Sequence, residues 1–148
     1  MDIRPASVKD FDELYSIGKS TPELRVSANE EFMDADEFRL AITDPDDVFL
    51  VAEEKGKIAG FILAYGKDIH RPYKNKYGCI VYLVVLPEFR RKGSATKLYS
   101  ECMKRMKKMG LTHVYTWANV ESNDEIIAFM EKQGFAKGHQ YIWMDRKI

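Results

Sequence analysis

The 148 residues are 45% hydrophobic and 31% charged, with 23 basic and 23 acidic side chains and no formal net charge; this is the make-up of a folded chain of one domain, 1–148, and excludes a disordered one. No apolar run of about 20 residues occurs, so no transmembrane helix is expected. Two cysteines, Cys79 and Cys102, make neither a disulfide framework nor a metal cluster, and Met1-Asp2-Ile3-Arg4-Pro5 lacks the apolar stretch of a secretion signal, so a reduced, cytoplasmic, metal-free protein is expected.

Ile3 to Ala6 reads as a first strand, and Ser7 with Asp10 as the start of a helix whose apolar side is Phe11, Leu14, Tyr15 and Ile17. Ser20-Thr21-Pro22 ends that helix. Asn29 to Ile42 reads as a second helix. After the turn Asp44-Pro45-Asp46-Asp47, Val48 to Glu53 and Ile58 to Tyr65 form a hairpin around Glu54-Lys55-Gly56-Lys57. Cys79 to Leu86 is almost entirely apolar, as in a strand covered on both faces, and Pro87 stops it. Ser94 to Met109 has helical spacing, with Leu98, Tyr99, Cys102 and Met106 on one side. Thr112 to Trp117 is a strand, Ser122 or Asn123 caps a last helix that ends at Gly134, and Phe135 to Lys147 reads as two closing strands. The order predicts a single-domain α/β fold, a mixed sheet of six to seven strands with helices on both faces.

The charge is polarised along the chain. Residues 1–54 carry 15 acids and 5 bases, residues 55–148 carry 18 bases and 8 acids, and Glu88 to Lys108 alone holds eight bases. Either these are solvated helix faces, or one end meets an anionic partner and the other a cationic one.

The segment Leu83-Val84-Val85-Leu86-Pro87-Glu88-Phe89-Arg90-Arg91-Lys92-Gly93-Ser94-Ala95-Thr96 favours the anionic partner. A buried strand runs into a short basic loop that opens directly into a helix, whose first N–H groups are unpaired and lie at the positive end of its dipole. Small residues, Gly93 and Ala95, let a phosphate approach the backbone. Neither a P-loop nor a three-glycine dinucleotide fingerprint is present.

Arg90-Arg91-Lys92-Gly93-Ser94-Ala95 resembles the Arg/Gln-x-x-Gly-x-Gly/Ala signature of the GNAT superfamily of acyl-CoA N-acyltransferases. Val85 to Phe89, Asn123, the segment Phe129 to Phe135 and the opening Ile3-Arg4-Pro5-Ala6 extend the resemblance over essentially the whole chain. It implies an acetyl-CoA-dependent N-acetyltransferase with a centrally splayed sheet. Leu83 and Val85 would pair with the pantetheine arm, the N–H groups from Arg91 through Lys92, Gly93, Ser94 and Ala95 to Thr96 would hold the pyrophosphate, Asn123 would bind the pantetheine, and Arg90, Lys92 and Lys97 would lie near the remaining phosphate. The backbone N–H of Val84 would stabilise the tetrahedral oxyanion.

The usual acid–base groups of that family are absent: its strand Glu is Val81 here, and its helix Tyr is Met130. Tyr82, Tyr141 and Glu31, with Glu30 and His70, are the candidates to replace them, beside proton transfer through water and backbone. Each has a plainer reading, Tyr82 in the core and the carboxylates on a helix surface. The acidic amino-terminal third predicts a cationic primary amine, a protein lysine, a protein N-terminus, a small polyamine or an aminoglycoside, as acceptor, and a monomer or homodimer is expected. The rivals are an acyl-CoA-binding module without chemistry and a nucleic-acid-binding domain built on Lys97 to Lys108; neither a membrane nor a nucleic acid is expected as partner.

Overall fold

The computed structural model describes residues 1–122 and 125–148. Its strands are β1 (Asp2–Pro5), β2 (Asp47–Glu54), β3 (Lys57–Tyr65), β4 (Tyr77–Val85) and β5 (His113–Thr116), in the spatial order β1-β2-β3-β4-β5. All neighbours are antiparallel except β4 and β5, which are parallel and joined by a helix crossover. The β2–β3 hairpin turns on Lys55 and Gly56, both at positive φ, the geometry that matches strand twist.

Helices α1 (Phe11–Ser20) and α2 (Ala35–Thr43) cover one face of the sheet; α3 (Ser94–Lys108) and α4 (Glu125–Lys132) cover the other. The first core centres on Leu14, Phe38, Phe49 and Phe61, the second on Leu50, Ile62, Leu98 and Cys102. Each such buried side chain contributes about 1.5–3 kcal/mol of transfer free energy. No helix among the described residues is long and apolar enough to cross a membrane.

Two expectations need correction. The second helix starts at Ala35, not Asn29, because Asp34 caps it by accepting from the N–H groups of Asp36 and Glu37, while Phe32 and Met33 turn into the first core. The sheet has five strands rather than six to seven, because residues 135–148 form none. Asp145 is bound by the Ser27 hydroxyl at 2.7 Å and the Asn29 amide at 2.6 Å, which draws the tail across to the 27–29 loop instead of along β5.

β4 positions the site. Leu63 lies opposite Tyr82 but Ala64 lies opposite Ile80, so Val81 is a surplus residue, a β-bulge. Pairing with β5 ends at Ile80 and Thr116, while β4 continues to Val85. Beyond Ile80 the two strands part, the central splay expected from the sequence.

Candidate active site

The parted edge of β4 can be read group by group. Leu86 donates to Ala59 at 2.9 Å, and antiparallel pairing alternates, so the peptide groups of Tyr82, Val84 and Leu86 face β3. Those of Leu83 and Val85 face the gap left by β5. The N–H of Val84, expected at the oxyanion, faces Phe61 of β3, and Leu83 has its N–H on the open side.

At the end of β4 the chain makes the basic loop. Arg91 and Gly93 both adopt left-handed backbone conformations, with φ of 61° and 81°. Such a sequence curls successive N–H groups toward one point and forms an anion-binding concavity. Gly93 is the N-cap of α3 and has no side chain to cap it; the helix's first amides stay open. Among the described residues, no acceptor pairs with the N–H groups of residues 91 to 96. Ser94, only 2% exposed, donates its hydroxyl to the carbonyl of Phe89 at 3.2 Å and ties the loop's ends together. Lys92 Nζ stands 3.7 Å from Glu54 and Arg90 Nη1 3.9 Å from Glu125. Asn123 lies outside the described residues.

The catalytic candidates are not gathered in one place. Tyr82 projects from the bulge toward α1 and α2, stacked on Phe32 with ring centres 4.9 Å apart. Burial pushes its hydroxyl up to about 12, and nearby Glu37 and Glu30 act in the same direction. Glu31 is exposed and pairs with Arg25 at 3.8 Å. Tyr141 is 75% exposed, against the edge of Trp117. His70 is exposed and held by Asp46 at 2.6 Å. Met130 is buried in the second core, so no acid stands at that position. Burial pushes the Cys79 thiol up, which suits a structural cysteine and not a nucleophile.

The sequence reading missed Glu37 and Tyr65. The Tyr65 hydroxyl donates to Glu37 Oε1 at 2.9 Å and lies 3.4 Å from Met33 Sδ. The available signal was strand alternation, which puts Tyr65 on the same face as Leu63 and therefore Tyr82.

An open-edged strand feeding a run of amides without an acceptor among the described residues could take an extended ligand that ends in an anion. Residues 11–135 match the model of the acetyltransferase (GNAT) family. The chain belongs to the GNAT acetyltransferase family. Relatives of this GNAT enzyme include an acetyltransferase of Photorhabdus laumondii, 31% identical over 95% of this chain and 90% of that one. Another, from Pectobacterium atrosepticum, is 34% identical over 89% of this chain and 85% of that one. The fold matches that of a Bacillus halodurans protein with a TM-score of 0.78 at 18% identity, covering 99% of this chain and 100% of that one. It also matches an aminoglycoside acetyltransferase from an uncultured soil metagenomic sample, solved in complex with sisomicin, with a TM-score of 0.74 at 16% identity over 99% and 95% of the two chains. Acetyl-coenzyme A is the cosubstrate that the GNAT family implies, and the open amides of this enzyme's loop fit its pyrophosphate.

Proposed function

We propose that this GNAT acetyltransferase transfers the acetyl group of acetyl-coenzyme A to a primary amine on a cationic acceptor. The observation that carries this is the run of N–H groups at residues 91 to 96 that have no acceptor among the described residues, set at the end of a strand whose Leu83 and Val85 peptide groups face an open gap. The pyrophosphate binds the amides from Arg91 to Thr96, and the pantetheine pairs with Leu83 and Val85 as an extra strand. Asn123 adds a contact by resemblance to the family. Arg90, Lys92 and Lys97 neutralise the remaining phosphate.

The amine must lose a proton before it attacks, because an alkylammonium of pKa about 10.4 is almost wholly charged at pH 7. Water carries that proton toward the carboxylates on the α1 and α2 side, Glu30 and Glu37. The amine nitrogen then bonds to the thioester carbon, and the N–H of Leu83 receives the developing oxyanion. The carbon–sulfur bond breaks, Tyr82, kept protonated by its burial, supplies a proton to the leaving thiolate, and the proton shed by the new amide nitrogen passes through water to restore Tyr82.

Calorimetry with acetyl-coenzyme A, coupled to thiol release with a panel of amines, tests this reading. Micromolar binding and amine-dependent thiol release are expected, and exchange of Lys92 for Glu should weaken binding about tenfold or more. Absence of both binding and release sinks it. Val81 and Met130, in place of a base and an acid, favour a second reading, an acyl-coenzyme A sensor; its mark is binding without release.

A further inference from the structure

The sheet carries another row of side chains that the reaction above does not use. Tyr65 lies opposite Cys79, and Cys79 opposite Tyr115, so all three project from the face that α1 and α2 only partly cover. Around Tyr115 stand Tyr77 at 6.2 Å and Trp117 at 6.2 Å between ring centres, and Trp117 meets Tyr141 at 6.4 Å. Trp117 is 69% exposed and Tyr77 is exposed too. The chain's own Lys67 places its ammonium 5.6 Å from the centre of the Tyr115 ring. At the other end of the row, Tyr65 fixes the exposed carboxylate of Glu37. The row lies beside the bulge where β4 and β5 part.

We propose, resting on the amine-acetylation reading, that this aromatic strip holds a second ammonium of the acceptor and that Lys67 is an internal competitor for it. The lysine marks the subsite: a primary ammonium already sits against Tyr115, on a flexible stem and in an exposed, displaceable contact. An acceptor with two cationic groups displaces Lys67, sets one ammonium over Tyr115 and leaves its other amine free to reach the thioester near Leu83. Glu37, at the opposite end, draws the reacting amine to the side where its proton leaves. The chemistry required is a di- or polycation, whether a polyamine, an amino sugar or a lysine-rich peptide.

The test measures thiol release from acetyl-coenzyme A by the full chain with spermidine, kanamycin and a Lys-Gly-Lys peptide, and with benzylamine as a single-cation control. Lys67→Met should lower KM about threefold or more for at least one dicationic acceptor, with kcat nearly unchanged and benzylamine unaffected. Tyr115→Leu should raise KM for that same acceptor. Which of the three responds identifies the source of the second cation. The inference fails alone if the wild-type chain binds coenzyme and acetylates amines while Lys67→Met leaves every KM unmoved or raises it, or if benzylamine shifts equally. If the wild-type chain neither binds coenzyme nor acetylates any amine, the underlying reading fails with it.

Discussion

Arg90 donates from its Nε to the carbonyl oxygen of Val85 at 3.0 Å, so the first arginine of the loop is folded back onto the open edge of β4. A pantetheine amide that pairs with Val85 must displace this guanidinium. In the proposed complex Arg90 therefore acts twice with opposite signs, as a phosphate cation and as a competitor for the strand edge. Arg90→Met should change the coenzyme Kd by less than about threefold, whereas Lys92→Met should weaken it about tenfold, the loss of one charge-assisted contact. Calorimetric titration of the two variants checks the difference.

Gly60 sits on β3 beneath the end of the catalytic strand. A Cβ there would meet the carbonyl oxygen of Val84 at 2.2 Å and the Cα of Val85 at 3.0 Å, both main-chain atoms that cannot rotate away. Gly60→Ala should push β4 outward at the residues that face the cosubstrate. A loss of about 1–3 kcal/mol in stability, read by urea denaturation, and a weaker coenzyme Kd are expected together. Unchanged affinity would show that the edge of β4 is not the binding surface.

Tyr82 remains protonated across the working range because burial pushes its hydroxyl up to about 12. A group of that kind gives no alkaline limb to the rate profile below about pH 11. Tyr82→Phe should lower kcat about 10- to 100-fold with little change in coenzyme Kd, since the ring and its stack on Phe32 are kept. An unaltered kcat would remove Tyr82 from the chemistry.

Asp47 supplies a stability test independent of the site. Burial, with Asp44 and Asp46 close by, pushes its carboxyl up to about 6 from an ordinary 3.8, against the opposing N–H of Gly66. The folded chain thus keeps a proton that the unfolded chain has released between those values. Its favourable contribution is complete below about pH 3.8 and is lost as pH rises to about 6. Because the group is partly solvated, Asp47→Asn should stabilise the protein by about 1 kcal/mol at pH 7 and by almost nothing near pH 4. Thermal unfolding at the two pH values decides.

The shape of the basic loop was legible because its logic is local: a strand that ends at Pro87, cations, and a glycine before a helix are all contiguous in the chain. The acceptor side was not, since Tyr65, Glu37, Tyr82 and Met33 come together only through β3–β4 pairing and the packing of α2. Alternation in Tyr141 to Met144 suggested a strand, but a strand needs an edge, and the contacts of Asp145 carry the tail elsewhere. Which of the Val84 and Leu83 N–H groups faces the gap depends on register, which periodicity does not reveal.

Val81 gives β4 one residue more than its antiparallel neighbour can match. Remove it, and the inside–outside alternation of Ile80, Tyr82 and Leu83 would survive, so the cores would lose only the Val81 side chain, which packs half-buried against the first. The strand would simply straighten and stay zipped to β5 past Thr116. A chain shortened by that single position should keep its fold at a small cost in stability and, on the proposed reading, have nowhere to lay a thioester.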